Sequence, residues 1–400
     1  MSLSGIAEDA RELSGELARL RHRLHRSPET GLNLPRTQEA VLAELDGLPL
    51  EIRTGEALSS VVGVLRGAGK GPAVLLRGDM DALPIAERSG VEFAATGGSM
   101  HACGHDLHTT MLVGAARLLA DRRAELDGDV VFMFQPGEEG HDGARHMISE
   151  GVLEASGSRP VAAYGLHVMA SVVPHGVFTT RPGPMMAASD TVTVTVTGAG
   201  GHGSAPHRGL DPIPAACTMV GELQTMVTRR FDVFDPVVVT VGSFHAGTQH
   251  NIIPEQVRFE ATVRSLSAES HARVKDAFVT VCEGVAGAHG LAVDIDYRRL
   301  YPVTENNAEE AGFAADTVRE LHGEQSVEPA RNPFTCSEDF SRVLHSVPGA
   351  FLALGACPEG ADPASMPNNH SAQALFADEV LDRGAAAYAG LAHRRLAAAG

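Results

Sequence analysis

Residues 129–140 read DVVFMFQPGEEG: an apolar run from Val130 to Phe134, a Pro136-Gly137 break, then the adjacent carboxylates Glu138 and Glu139. A continuous run of β-branched and aromatic residues, bounded by turn residues, predicts a strand buried on both faces, as in a parallel sheet. The same plan recurs on either side. PAVLLRGD (72–79) leads into Asp79-Met80-Asp81, and VAAYGLHV (161–168) ends at His167. VVGVLRG (61–67) reads as another short strand, joined to 72–79 by Gly-rich residues. Helical patterns alternate with these runs. Ile6, Leu13, Leu17, Leu20 and Leu24 mark an amphipathic helix over 6–26, with shorter or more apolar helices over 37–45 and 106–124. This alternation predicts an α/β fold with a mixed, largely parallel sheet flanked by helices. The polar groups fall just past the C-terminal ends of strands, the edge at which open α/β sheets bind ligands.

From about residue 183 the texture changes. SDTVTVTVTG (189–198) alternates valine with threonine, which predicts a strand with one buried face. Asp211 is placed to cap a helix from Pro212 to about Arg229, and Pro212 suits a first turn. PVVVTVGSFHAG (236–247) and QVRFEATVRSL (256–266) read as strands. A helix over 269–289 carries Val274, Phe278, Val281 and Val285 on one face, and LAVDIDY (291–297) closes the set. The order β-α-β-β-α-β is that of a ferredoxin-like α+β module. The chain is thus expected to divide into residues 1–183 and 299–400, forming one catalytic domain in two parts, with 184–298 inserted between them. RPGP (181–184) and YPVTENN (301–307) are the expected hinges.

With 400 residues and 44% hydrophobic content the chain can build about two cores. Its net charge of −18 argues against nucleic acid and anionic membranes as partners. Five scattered cysteines, an odd number in a long chain, do not read as a disulfide framework. The opening MSLSGIAEDARELSGELARL lacks a basic stretch followed by an apolar core, so no secretory signal is expected. No apolar segment reaches the ~18 residues of a membrane span. A reducing cytoplasm is the expected compartment.

MHACGHDLH (100–108) sets Cys103 and His105 two apart around Gly104, at a helix start. A thiolate and an imidazole suit zinc, and also manganese, cobalt or nickel. The same pattern also describes a loop with a buried cysteine. Glu138 and Glu139, adjacent at a strand end, are expected to diverge, one toward a metal and the other free to take a proton from water. A solvated turn is the plain alternative. His167, and His370 in MPNNHSAQALF, each read alone as ordinary histidines. Together the strand ends supply enough donors for two metals.

HACGHDLHTTMLVGAA, QPGEEG, YGLHV, GPMMAASD, GGHGSAPH and the late NNH resemble the aminoacylase and hippurate hydrolase family. That family also includes carboxypeptidase G and the hydrolases of indole-acetyl amino acids. LRHRLHRSPETGLNLPRT and RGDMDALPI match its pattern too, so the likeness runs along almost the whole chain, within the cysteine-containing amidohydrolase branch. The resemblance implies two divalent metals, Zn or Mn, with Co or Ni as alternatives, held by Cys103, His105, Glu139, His167 and His370. It implies Glu138 as the general base toward a metal-activated water, and Asp81 as the residue orienting a ligand. Asp79 stands where many relatives carry a ligating histidine.

The inserted module is similar to the family's dimerisation lid, which implies a homodimer, or a tetramer built from dimers. His202 would then steady the oxyanion in the partner subunit's site, and Asn251 and Arg264 would hold the substrate carboxylate. The implied substrate is an N-acyl amino acid or a related small conjugate. Two other readings stay open: a dipeptidase or carboxypeptidase on the same metals, and a non-catalytic metal- or ligand-binding homologue. Retention of Glu138 beside all five donors speaks against the latter. A thiol redox role for Cys103 lacks a second nearby cysteine.

Overall fold

Ile6, Leu17, Leu20 and Leu24 bury one face of a helix that runs Leu3–Arg26 in the computed structural model, which describes residues 3–399. Met1 and Ser2, which open the segment read for a signal, and Gly400 lie outside it. The described chain divides into two units. Of the described residues, 3–185, 305–332 and 339–399 form one, and Met186–Thr304 with Pro333–Glu338 the other.

The first unit is built on an eight-stranded sheet. Its order is Leu50–Thr54, Val61–Leu65, Asp129–Gln135, Ala73–Asp79, Ala162–Met169, Gly349–Gly355, Phe178–Thr180 and Val327–Pro329. The four strands from Asp129–Gln135 to Gly349–Gly355 are parallel, and antiparallel pairings occur on either side of them. The mixed, largely parallel sheet flanked by helices is therefore the fold. The strands at 61–65 and 73–79 are not neighbours, since Asp129–Gln135 lies between them. The edge strands Leu50–Thr54 and Val327–Pro329, the inner strand Phe178–Thr180 and the central strand Gly349–Gly355 escaped the sequence reading. Two of these have only three residues and Leu50–Thr54 is mostly exposed, so those three carry no apolar run, whereas Gly349–Gly355 (GAFLALG) does carry one and was not singled out. Helix His105–Asp121 is buried along nearly its whole length, because it packs on the sheet and also against helices Leu3–Arg26 and Leu381–Ala399.

A buried ionic network ties the first helix to the start of His105–Asp121. Arg21 Nε lies 3.0 Å from Asp106 Oδ2, and His25 Nδ1 lies 2.9 Å from the same oxygen. His25 Nε2 lies 3.0 Å from Glu87 Oε1. Burial opposes a charge on His25, and so does Arg21, but Asp106 and Glu87 outweigh them and raise its pKa to about 9. A pKa raised from about 6.5 in the unfolded chain stabilises the fold fully below pH 6.5, and that stabilisation disappears as pH rises through about 9. The shift corresponds to about 3 kcal/mol. His25→Gln should therefore destabilise the protein most at pH 6, with the deficit in urea denaturation shrinking above pH 9. A deficit that does not change with pH would sink this assignment.

In the second unit Val192, Val194 and Val196 face the core while the threonines between them lie on the more open face. The sheet order Val237–Ala246, Gln256–Ser265, Ala188–Thr197, Ala292–Tyr301 is antiparallel throughout. With helices Pro212–Arg230 and Ala268–Ala288 it forms the split β-α-β arrangement of the ferredoxin-like fold. Asp211 accepts from the Ile213 amide at 3.0 Å, capping the first of these helices. The buried stripe of the second is Val274, Phe278, Cys282 and Ala286, and Val281 and Val285 only flank it. An i, i+4 row whose later members are Cys and Ala is easily read one position off. Burial pushes the Cys282 thiol up to about 12, which makes it an inert packing group.

Candidate metal centre

The site lies where the parallel strands end. Gly104, at φ 84°, turns the chain from Cys103 into the helix that begins at His105. A Cβ on Gly104 would meet Val168 Cγ2 at 2.3 Å, so only glycine lets the two donors bracket this turn. Cys103 Sγ lies 3.4 Å from His167 Nε2 and 3.3 Å from His370 Nε2. His167 donates from Nδ1 to the Val168 carbonyl at 2.8 Å, which leaves the Nε2 lone pair toward the thiol. Burial, then neighbouring His108, holds His167 well below its usual pKa, so it stays a neutral ligand-ready imidazole.

His370 sits on a loop with φ 68°, a left-handed conformation uncommon for a residue with a side chain. Its amide donates to Ala102 O at 2.8 Å. Asn369 staples the same loop, donating to Val168 O at 3.0 Å and accepting from the Ala170 amide at 2.8 Å. His370 Nε2 also lies 3.1 Å from Glu139 Oε1. Its contacts with Cys103 and Glu139 raise its pKa to about 10 against the opposition of burial.

Asp81 grips the turn that carries the glutamates, accepting from the Glu138 amide at 2.9 Å and the Glu139 amide at 3.0 Å. One of its oxygens lies 3.4 Å from His105 Nδ1. The expectation that the two carboxylates diverge is corrected here. Both offer an oxygen to a group with His105 in which all ligand atoms lie within 4.8 Å. Gly137 at φ 74°, Glu139 at ψ 75° and Gly140 at φ 79° break the strand geometry, so alternation of sides no longer applies. His105 is buried with Asp79 Oδ2 3.6 Å from its Nε2. Burial opposes its charge, but Asp79, Asp81 and Cys103 outweigh this and hold its pKa well above the ordinary value.

Beneath the donors runs a buried polar frame. Arg77 reaches Asp79 at 2.6 Å, Gln135 at 2.9 Å and Asp339 at 3.0 Å. Asp339 also accepts from Gln135 and from the Ala144 amide just after the Glu138–Glu139 turn. Burial opposes ionisation of Asp79, but Arg77 and the histidines hold its pKa well below the usual range. Asp79 is thus engaged as an anchor on His108, at 2.5 Å, and on Arg77. The sequence reading missed Arg77, Gln135 and Asn369. The available signals were an arginine inside an apolar strand, which needs buried partners, and the NNH triplet.

The donor chemistry fits divalent metal ions. Cys103, His105 and His167 form one group with ligand atoms within 4.8 Å, and Cys103, Glu139 and His370 form another, with the sulfur common to both. Neither ring nitrogen of His105 makes an aligned hydrogen bond within the chain, its nearest carboxylate oxygens standing 3.4 Å and 3.6 Å away. Buried polar atoms left without partners are costly unless something else satisfies them.

His202, Asn251 and Arg264 belong to the second unit. His202 pairs with Ile252 in a two-residue ladder, and the Gly203 amide donates to Asn251 O at 2.8 Å, which brings His202 and Asn251 onto one turn. His202 Nδ1 accepts from the Ser204 amide at 3.1 Å, leaving Nε2–H as an exposed donor. Beside this turn lies a cavity of about 500 Å³ bordered by Gly203, Asp211, Gln249, His250 and Ile252. Arg264 lies on strand Gln256–Ser265, where its guanidinium meets the Ser189 hydroxyl and burial lowers its pKa.

An open α/β sheet whose strand ends gather a thiolate, imidazoles and carboxylates has the make-up of a metal-dependent hydrolase. Residues 75–394 match peptidase family M20/M25/M40. Thermostable carboxypeptidase 2 of Saccharolobus solfataricus is 36% identical over 392 residues, covering 97% of each chain. Hippurate hydrolase of Campylobacter jejuni is 36% identical over 394 residues, covering 96% of this chain and 98% of its own. The Bacillus subtilis YXEP protein, described as a dinuclear metal binding peptidase, superposes with a TM-score of 0.82 at 29% identity, over 97% of this chain and 99% of its own. The chain belongs to peptidase family M20/M25/M40 and is a hydrolase of amide bonds. No helix among the described residues is long and apolar enough to cross a membrane.

Proposed function

We propose that this protein cleaves the amide bond of N-acyl amino acids or related small carboxylate-bearing conjugates at a two-metal centre. The observation that carries this reading is Cys103 Sγ between two imidazole nitrogens, at 3.4 and 3.3 Å, shared by two donor groups, with Glu138 in the adjoining group. Cys103, His105, Glu139, His167 and His370 would hold the ions. Zinc or manganese suits this set best, and cobalt or nickel is compatible. Bound there, the ions would polarise the amide carbonyl and lower the pKa of water.

Glu138 takes the proton from the attacking water and passes it to the leaving amine. Asp81 keeps that carboxylate in place through the two amides it binds. Asn251 and Arg264 take the substrate carboxylate, Arg264 as a bidentate fork. His202 donates from Nε2 to the oxyanion, acting in the partner subunit of a homodimer or of a tetramer made of dimers. An asymmetry between sheet edges supports the dimer. Edge strand Val237–Ala246 has no charged Asp, Glu, Lys or Arg, whereas Ala292–Tyr301 carries Asp294, Asp296, Arg298 and Arg299. An uncharged edge is open to pairing, and a charged one resists it. None of the five cysteines is in a disulfide among the described residues, which suits a reducing cytoplasm.

The carboxypeptidase relative supports a second reading, peptide cleavage on the same machinery. The two separate on a substrate panel. The purified protein loaded with Mn²⁺ or Zn²⁺ should hydrolyse hippurate and N-acetyl amino acids faster than dipeptides with free amines. Chelation should abolish turnover and metal should restore it. Preference for dipeptides would favour the second reading, and metal binding without turnover of either class would leave a non-catalytic binder.

A further inference from the structure

The pairing of the two central strands fails where the donors gather. Strands Ala73–Asp79 and Ala162–Met169 are in register from Val74↔Ala162 to Arg77↔Gly165 and no further. Each stays paired on its other side to its end, Asp79 with Gln135 and Met169 with Gly355. The splay is therefore confined to the seam between them. It leaves main-chain groups that a parallel ladder would have joined, and buried main-chain groups must find other partners.

Side chains supply those partners. The Tyr388 hydroxyl donates to Arg77 O at 2.6 Å and accepts from the Leu166 amide at 2.9 Å. Two residues further along the strand, His108 Nε2 accepts from the Val168 amide at 2.7 Å, while Nδ1 donates to Asp79 Oδ1 at 2.5 Å. Thr109 Oγ1 donates to Asp79 O at 2.7 Å. Tyr388, His108 and Thr109 are all buried. Leu166 and Val168 flank His167, so both amides around that residue are held by side chains of other elements.

We propose that Tyr388 and His108 are positioning residues: they wedge the two strands apart and, by holding the amides on either side of His167, aim its imidazole at Cys103. Asp79 and Arg77 complete the wedge by fixing the His108 tautomer that accepts from Val168. The proposal rests on the reading of His167 as a metal ligand, and its test separates the two.

The full-length protein is stripped with a chelator and titrated with Co²⁺. Affinity is read by competition with a chromophoric chelator, geometry by the thiolate-to-cobalt absorption, and stability by the unfolding midpoint without metal. Tyr388→Phe and His108→Asn should weaken one of the two Co²⁺ steps by about 10–100-fold and shift the absorption. His108→Gln, whose amide oxygen still reaches the Val168 amide, should retain more affinity than His108→Asn. Tyr164→Phe is the structural control. Tyr164 lies on the same strand as His167, but its buried hydroxyl binds Glu310, so its loss should lower the midpoint and leave both cobalt steps and the absorption unchanged. Wild-type cobalt affinity and absorption in Tyr388→Phe and His108→Asn, with His167→Ala impaired, would overturn the proposal alone. Wild-type cobalt binding by His167→Ala would overturn the ligand reading and the proposal with it.

Discussion

Replacing Glu138 by glutamine is expected to lower kcat by about 10²–10⁴-fold, the usual worth of a positioned general base. The substitution keeps the side chain's length and shape and removes only its capacity to take a proton. Glu138 is buried, and its amide is held by Asp81 at 2.9 Å, so the turn should not move. The five proposed metal donors are untouched. The metal content of the variant should therefore equal that of the wild type, and KM should change little. Loss in kcat alone would mark an interaction made chiefly in the transition state. Full activity of the variant with metals bound would show that the base lies elsewhere.

The second large effect is expected at Cys103. Cys103→Ala deletes the one atom common to the groups with His105 and His167 and with Glu139 and His370. His167 and His370 would then face a gap between them, and both ions would lose a ligand. Metal affinity should fall by at least about 100-fold, beyond what loss of an indirect contact causes, and hydrolysis should become undetectable. The fold should survive. Cys103 sits in the loop before helix His105–Asp121, and that helix is secured by its own buried face. Cys217→Ser, at an exposed position, should change neither metal content nor turnover. Elemental analysis after gel filtration, together with the unfolding midpoint, reads both outcomes. Two ions per chain retained by Cys103→Ala would remove the thiolate from the proposed centre.

The sheet of the first unit was legible because strands buried on both faces carry uninterrupted apolar runs, as 130–134 does. The second unit was legible for the opposite reason, since its Val/Thr alternation records one wet face and one dry face. What escaped were short or exposed elements such as Leu50–Thr54, whose place is set by its partner Val61–Leu65, together with the buried strand Gly349–Gly355, whose apolar run was not singled out. Arg77 and Tyr388 escaped as well, for a different reason. Their importance lies in the partners of their polar atoms, and Tyr388 meets Arg77 across 311 residues of chain. Local periodicity carries no information about such a meeting.

The sequence by itself determined the residue types available for chemistry and the strand ends on which they stand. Periodicity and turn residues decide where a strand stops, and the residue after the stop inherits its position. Only the tertiary structure decided which atoms meet. It set Cys103 between His167 and His370, 64 and 267 residues away. It turned Glu138 and Glu139 into one group with His105, and it spread two strands around a tyrosine hydroxyl and an imidazole. The physical reason is that a parallel sheet aligns strand ends from distant parts of the chain, and buried polar atoms there must pair with whatever the packing brings within hydrogen-bond reach.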